Sequence, residues 1–161
     1  MQWYNQVPQA QLQERLGLSE AELKKVVLAL PPVLGLSYED NLEPKLDHLQ
    51  SELGLAPHAL RALVLKHPLV LSASLHTLRP NIVLWREWLA EEGLQLAEVV
   101  AKSGPRILTA NYAKRTRPRS ERAKALGLKA SAMVRAAKLG LTDADFEKWL
   151  ARAVARVPDE L

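Results

Sequence analysis

Between Lys114 and Lys124 six of eleven residues are basic (Lys114, Arg115, Arg117, Arg119, Arg122 and Lys124), and the one acid among them is Glu121. Guanidinium groups take phosphate oxygens two at a time, and phosphate contacts dominate affinity for nucleic acids. The run is therefore the first candidate for a phosphate-binding surface. Lys102, Arg106 and Lys129 extend it, with Arg135 and Lys138 on flanking elements. Pro118 places Arg115, Arg117, Arg119 and Arg122 around a helix start, where unpaired N–H groups and the helix dipole already favour an anion. The competing reading of such a run is a solvated helix face.

No other constellation suggests chemistry. Nothing assembles a nucleophile, a base and an orienting group, and no glycine-rich loop is placed to cradle phosphate. His48, His58, His67 and His76 stand in different elements without the i, i+4 spacing of metal ligands. The absence of cysteine removes thiol nucleophiles, disulfides and thiolate metal sites. The expectation is a non-catalytic protein with no cofactor, no metal and no small-molecule substrate. No apolar run approaches the roughly 18 residues of a membrane span, so no membrane partner is expected. The first six residues have neither the basic and apolar regions of a secretory signal nor an arginine- and serine-rich transit character.

The net charge of +4 conceals a division: residues 1–101 carry 8 Lys/Arg against 12 Asp/Glu, and residues 102–161 carry 14 against 6. The basic part is expected to meet nucleic acid and the acidic part to meet protein, with Lys66 and Arg79 outside the phosphate surface. Among the aromatics, Trp85 and Trp149 fall at core spacing. Trp3, Tyr4 and Tyr112 are candidates to stack on bases, and Trp88 is a candidate to reach a neighbouring protein.

These side chains must be carried by helices, because Leu and Ala dominate the apolar residues and aromatics are only 5%. Pro8, Pro44, Pro80 and Pro118 recur at intervals of 36, 36 and 38 residues, each followed 9 to 13 residues later by a Gly-Leu pair: Gly17-Leu18, Gly54-Leu55, Gly93-Leu94 and Gly127-Leu128. Pro31 or Pro32, Pro68 and Pro105 interleave with them. Such a period marks a helical solenoid, whose units bury their apolar faces on one another. In the clearest unit Ser19 to Glu22 is a capping box, Leu23, Val26, Val27 and Leu30 form one stripe, and Pro31-Pro32 ends the helix. Its partner starts near Asn41, with Pro44 in the first turn and Leu42, Leu46, Leu49 and Leu53 inside. Pro57 and Pro80 open the corresponding helices of the next unit, with Leu60, Leu63, Val64, Ile82, Trp85 and Leu89 inside. After Pro118 the core positions become Ser120 and Ala123, so that helix is expected to pack less. Thr142 to Asp145 caps a terminal helix with Phe146, Trp149, Leu150 and Val154.

The order Leu-Gly-Leu, capped helix, proline, apolar connector, Leu-x-Pro, helix resembles the mitochondrial transcription termination factor (mTERF) family. Leu16-Gly17-Leu18-Ser19, His67-Pro68-Leu69-Val70-Leu71-Ser72, Leu78-Arg79-Pro80 and Gly104-Pro105-Arg106-Ile107-Leu108-Thr109 carry the likeness. The stretch from Arg115 to Trp149 is similar to the C-terminal end of plant and algal members. The resemblance implies an all-α, crescent-shaped solenoid of helix pairs joined by short tight helical turns. It also implies binding of RNA or double-stranded DNA in mitochondria or chloroplasts, in organelle gene expression. Of the connectors only Pro105-Arg106 pairs proline with the arginine common in that family. The expected organisation is a single repeat domain over 1–161: a half repeat 1–17, repeats 18–54, 55–93 and 94–127, and a C-terminal cap 128–161. The alternative function is a structural subunit of an organellar ribosome, bridging rRNA and protein.

Overall fold

The structure, a computed structural model, describes residues 7–157. Trp3 and Tyr4 lie outside the described residues. All regular structure among these is helical, without a strand. The chain divides into two compact units, residues 1–76 and 77–161.

The first unit holds α1 (Val7–Leu16), α2 (Glu20–Ala29), α3 (Glu43–Leu53) and α4 (Pro57–Lys66). The second holds α5 (Leu75–Ala90, whose first two residues belong to the preceding unit), α6 (Leu96–Ser103), the one-turn α7 (Arg106–Thr109), α8 (Arg117–Ala125), α9 (Ala130–Leu139) and α10 (Asp143–Val154). The apolar connectors expected after Pro31 and Pro68 are 3₁₀ turns, Pro31–Gly35 and Pro68–Ser72. Their prolines sit at the first positions, where a missing N–H costs no hydrogen bond.

Each Gly-Leu pair is a helix terminator of one kind. Gly17, Gly54, Gly93 and Gly127 have φ between 61° and 74°, the left-handed conformation that glycine adopts without a Cβ penalty. The following leucine donates its N–H five residues back: Leu18 to Gln13, Leu55 to Gln50, Leu94 to Leu89 and Leu128 to Ala123, at 2.9 to 3.0 Å. This is the Schellman arrangement, and it satisfies carbonyls that the helix end leaves open.

Pro44 and Pro118 stand in the first turn of α3 and α8, as expected. Each of these helices is preceded by a further turn that the sequence reading did not include, capped by Ser37 or Asn111. Between cap and proline the chain makes a π turn, Tyr38–Leu42 and Tyr112–Thr116, with Leu42 N–H on the Ser37 carbonyl and Thr116 N–H on that of Asn111. In the remaining unit α5 starts at Leu75 and contains Pro80, so Pro80 does not open it. The spacing explains this: Ser37 to Pro44 and Asn111 to Pro118 span seven positions, and Ser74 to Pro80 spans six. One extra residue in a helix is accommodated as a π bulge.

The residue after three of the four recurring prolines, Pro44, Pro80 and Pro118, ties its helix to the following connector. Lys45 Nζ donates to the Leu71 carbonyl at 2.7 Å, Asn81 Nδ2 to the Leu108 carbonyl at 3.1 Å, and Arg119 Nη2 to the Leu141 carbonyl at 3.1 Å. Asn81 also reaches the carbonyls of Thr77 and Ala110. Lys45 and Asn81 are buried, and burial pushes the Lys45 ammonium below its ordinary pKa. Buried polar groups must be paired, and these donors do so while fixing the register of successive elements.

The expected core positions are buried, apart from Leu23, Val27, Trp149 and Val154, which are half-buried. Ser120 and Ala123 are as fully buried as the leucines they replace. Being small, they bury less apolar surface than the leucines, isoleucine and tryptophan at the equivalent positions, so this helix packs less, as expected. Trp88, expected at the surface, is buried and stacks on Trp85 with ring centroids 5.6 Å apart. The helix α9, with Met133 and Val134 inside, was not among the expected elements.

The capping box at α2 extends into an ion pair. The Glu22 carboxylate accepts from the Ser19 N–H at 2.8 Å and meets Arg61 Nη2 at 2.5 Å. Arg61 first, and then the Ser19 N–H, hold the Glu22 carboxyl down at about 2 against an ordinary 4.5. A folded pKa depressed in this way contributes stability that is present above the ordinary carboxylate pKa and lost as pH falls toward 2. In a carboxyl NMR titration Arg61→Ala should move the Glu22 midpoint upward. An unmoved midpoint would remove Arg61 as the cause.

Candidate nucleic-acid interface

Asn111 caps the turn before α8 by accepting the Lys114 N–H at 2.9 Å, so the basic run enters a helix from Tyr112 onward. Six cations in eleven residues do not share one surface once they are helical, because positions three, four and seven apart lie together and the rest turn away. Arg117 and Lys124 occupy one face. Arg115, Arg119 and Arg122 occupy another.

The second of these faces is occupied by α10. Arg119 meets Asp143 Oδ1 at 2.6 Å and holds its guanidinium 4.6 Å above the Phe146 ring. Its side chain is only 15% exposed. Arg119, and more weakly Arg115, lower the pKa of the Asp143 carboxyl. Arg122 pairs with Glu147, one turn further along α10. Arg119 is thus a packing residue here, and Arg115 is the exposed arginine of the three without an ion pair drawn to its side chain among the described residues.

The first face opens on a cleft between α5 and α8. Arg79, Arg117 and Lys124 line it with Pro80, Val83 and Tyr112 around about 990 Å³ of open space, and the carboxylates of Glu87 and Glu121 share the lining, leaving the cleft one charge positive. Arg117 is paired with Glu121 at 2.9 Å, but both side chains are 63% exposed, and an exposed i, i+4 pair is worth only about 0.3–0.5 kcal/mol. Phosphate can displace Glu121 at little cost. Lys124 stands with its ammonium 5.0 Å from the centre of the Trp88 ring, so the buried tryptophan positions a surface cation. Lys124 also lines a neighbouring hollow with Lys129, where Glu91 and Glu92 balance the two ammonium groups. Tyr112, a candidate stacking ring, is half-buried in the cleft wall.

Sequence reasoning placed Arg79 outside the phosphate surface, and the structure sets it beside Arg117 and Lys124. A signal was present: Arg79 precedes Pro80 as Arg117 precedes Pro118, so the two hold equivalent repeat positions. Lys102 and Lys114 are exposed on α6 and the π turn and do not line this cleft. Arg106, at the start of α7, lies against Gly140, the left-handed C-cap of α9 at φ +63°. A Cβ at Gly140 would collide with the Arg106 guanidinium. Gly140→Ala should therefore cost about 1–2 kcal/mol for the left-handed backbone alone, read as a lower denaturant midpoint, and unchanged stability would refute the arrangement.

Among the described residues the chain is an array of helices whose starts and stops are set by proline and by left-handed glycines, which defines an all-α protein of helical repeats. The mTERF family model matches residues 5–147, nearly the full length, and the chain belongs to the mTERF family. Its members are organellar nucleic-acid-binding repeat proteins and are generally non-catalytic. No curated protein matches the chain.

Proposed function

We propose that this chain is a non-catalytic nucleic-acid-binding module of mitochondria or chloroplasts, acting in organelle gene expression. It grips the phosphates of RNA or duplex DNA through the α5–α8 cleft. The observation that carries this reading is the meeting of Arg79, Arg117 and Lys124 on one cleft from helices remote in sequence. Lys114, Arg115, Lys102 and Lys129 supply further exposed positive charge, and Arg106 and Arg122 stand beside them, the latter once freed from Glu147. The charge division supports a protein-facing role for the first unit: residues 1–76 carry 6 Lys/Arg against 8 Asp/Glu, whereas residues 77–161 carry 16 against 10.

Anisotropy of a labelled duplex and of a labelled RNA hairpin, titrated between 50 and 200 mM salt, tests the proposal. Phosphate contact requires log affinity to fall linearly with log salt. Salt-independent or absent binding of both probes would overturn it. The same charge division favours a second reading, a structural subunit of an organellar ribosome bridging rRNA and protein. Co-sedimentation with ribosomal particles that survives high salt supports the subunit, and its loss together with free duplex binding supports the free factor.

A further inference from the structure

A second cavity of residues 77–161 takes no part in the phosphate cleft. It is a small depression continuous with solvent, about 520 Å³ with the open space above it included, and Ile107, Met133, Ala137, Leu141 and Phe146 supply its apolar lining with Trp85. The backbone carbonyls around it are already engaged. Ile107 accepts from Trp85 Nε1 at 3.1 Å, Ala110 from Asn81 Nδ2 at 2.8 Å, and Leu141 from Arg119 Nη2 at 3.1 Å. A hydrocarbon group entering the cavity therefore leaves none of these carbonyls newly stripped of a partner. A nucleobase would bury the donors and acceptors of its edge against carbon, at a cost of roughly 1–3 kcal/mol for each unpaired group. The lining selects an apolar occupant.

The rim selects the charge beside it. Arg106, Arg115 and Arg119 stand around the mouth, and of the acids among the described residues Asp143 is the one drawn close, onto Arg119. Arg115 is exposed and feels Asp143 through space alone. Three guanidiniums against one carboxylate leave the mouth positive, complementary to further carboxylates. Small walls at Ala136 and Ala137 keep the space open, and the flexible Met133 can conform to different occupants. A pocket that takes one apolar anchor inside a charged rim is how protein hot spots are built.

We propose that this cavity receives one aromatic or branched apolar side chain from an acidic segment of a partner protein, whose flanking carboxylates meet Arg115 and Arg106. This goes beyond the nucleic-acid reading: the cavity and the cleft share no lining residue, and Arg115 and Arg106, which also lend charge toward phosphate, are here assigned to carboxylates.

Calorimetric titration of the full chain tests it, using an acetylated and amidated pentapeptide with two acidic residues on each side of a phenylalanine. The comparison probes are the same peptide with alanine at the centre, and thymidine monophosphate. The phenylalanine peptide should bind one to one, and the alanine peptide at least about tenfold more weakly. Arg115→Gln should weaken the phenylalanine peptide about tenfold, the loss of one charge-assisted contact. Ala137→Phe should fill the cavity and abolish peptide binding while the salt-dependent affinity for nucleic acid persists. Should Ala137→Phe lower the thermal midpoint, the surface change Arg115→Gln still decides the matter. The proposal fails if the two peptides bind alike, if the phenylalanine peptide gives no saturable heat up to about 1 mM, if Arg115→Gln binds as wild type does, or if the nucleotide binds more tightly than the phenylalanine peptide.

Discussion

Replacing Arg79, Arg117 and Lys124 together by alanine is expected to weaken nucleic-acid binding about a hundredfold near physiological salt. Each phosphate contact contributes about 0.7 to 0.9 to the magnitude of the log–log salt slope. Removing three phosphate-binding cations therefore flattens the slope by about two to three units and lowers affinity by about two decades at roughly 0.15 M salt. The effect should be nearly uniform across nucleic-acid sequences, since phosphate contacts position the protein and carry little base information. A matched triple change in the first unit, Lys24, Lys25 and Lys66, all outside the cleft, removes the same formal charge. It should leave the slope almost intact. If the cleft variant keeps both affinity and slope, the cleft is a solvated surface and the proposed function falls with it. If both triples lower affinity equally, net charge alone is at work and the cleft has no special part.

Leu49→Ala is expected to destabilise the protein by about 2–5 kcal/mol, measured by urea or guanidinium unfolding. Leu42, Leu46 and Leu49 of the turn and helix leading through α3 are each wholly inaccessible to solvent. Truncating Leu49 removes apolar burial and leaves a cavity that neighbours pinned by the Lys45 to Leu71 hydrogen bond cannot readily close. A loss below about 0.5 kcal/mol, the ordinary scatter of surface substitutions, would reject the assigned core face.

Most of the helices, the prolines that start or stop them and their Gly-Leu ends were legible from the chain alone, because each is decided within a few residues; α9 and the start of α5 ahead of Pro80 were not. Proline lacks an N–H, glycine takes positive φ without penalty, and a leucine period of three and four residues buries one face. The family was legible for the same reason, since its motifs are these local signals in a fixed order. The π turns ahead of Pro44 and Pro118 were not read from the chain, because no local signal marks one extra residue in a helical turn.

The site required the tertiary structure. A run of six cations looked like one surface in sequence, and helical geometry divided it between two faces. Asp143 and Glu147, more than twenty residues away, then claimed Arg119 and Arg122, while α5 brought Arg79 to Arg117 and Lys124. Trp88 was drawn inward by Trp85 and became the support of Lys124. Charge density along a chain records which side chains can bind phosphate. Which of them remain available depends on what packs against each helix face, and that packing joins residues that local sequence signals do not connect.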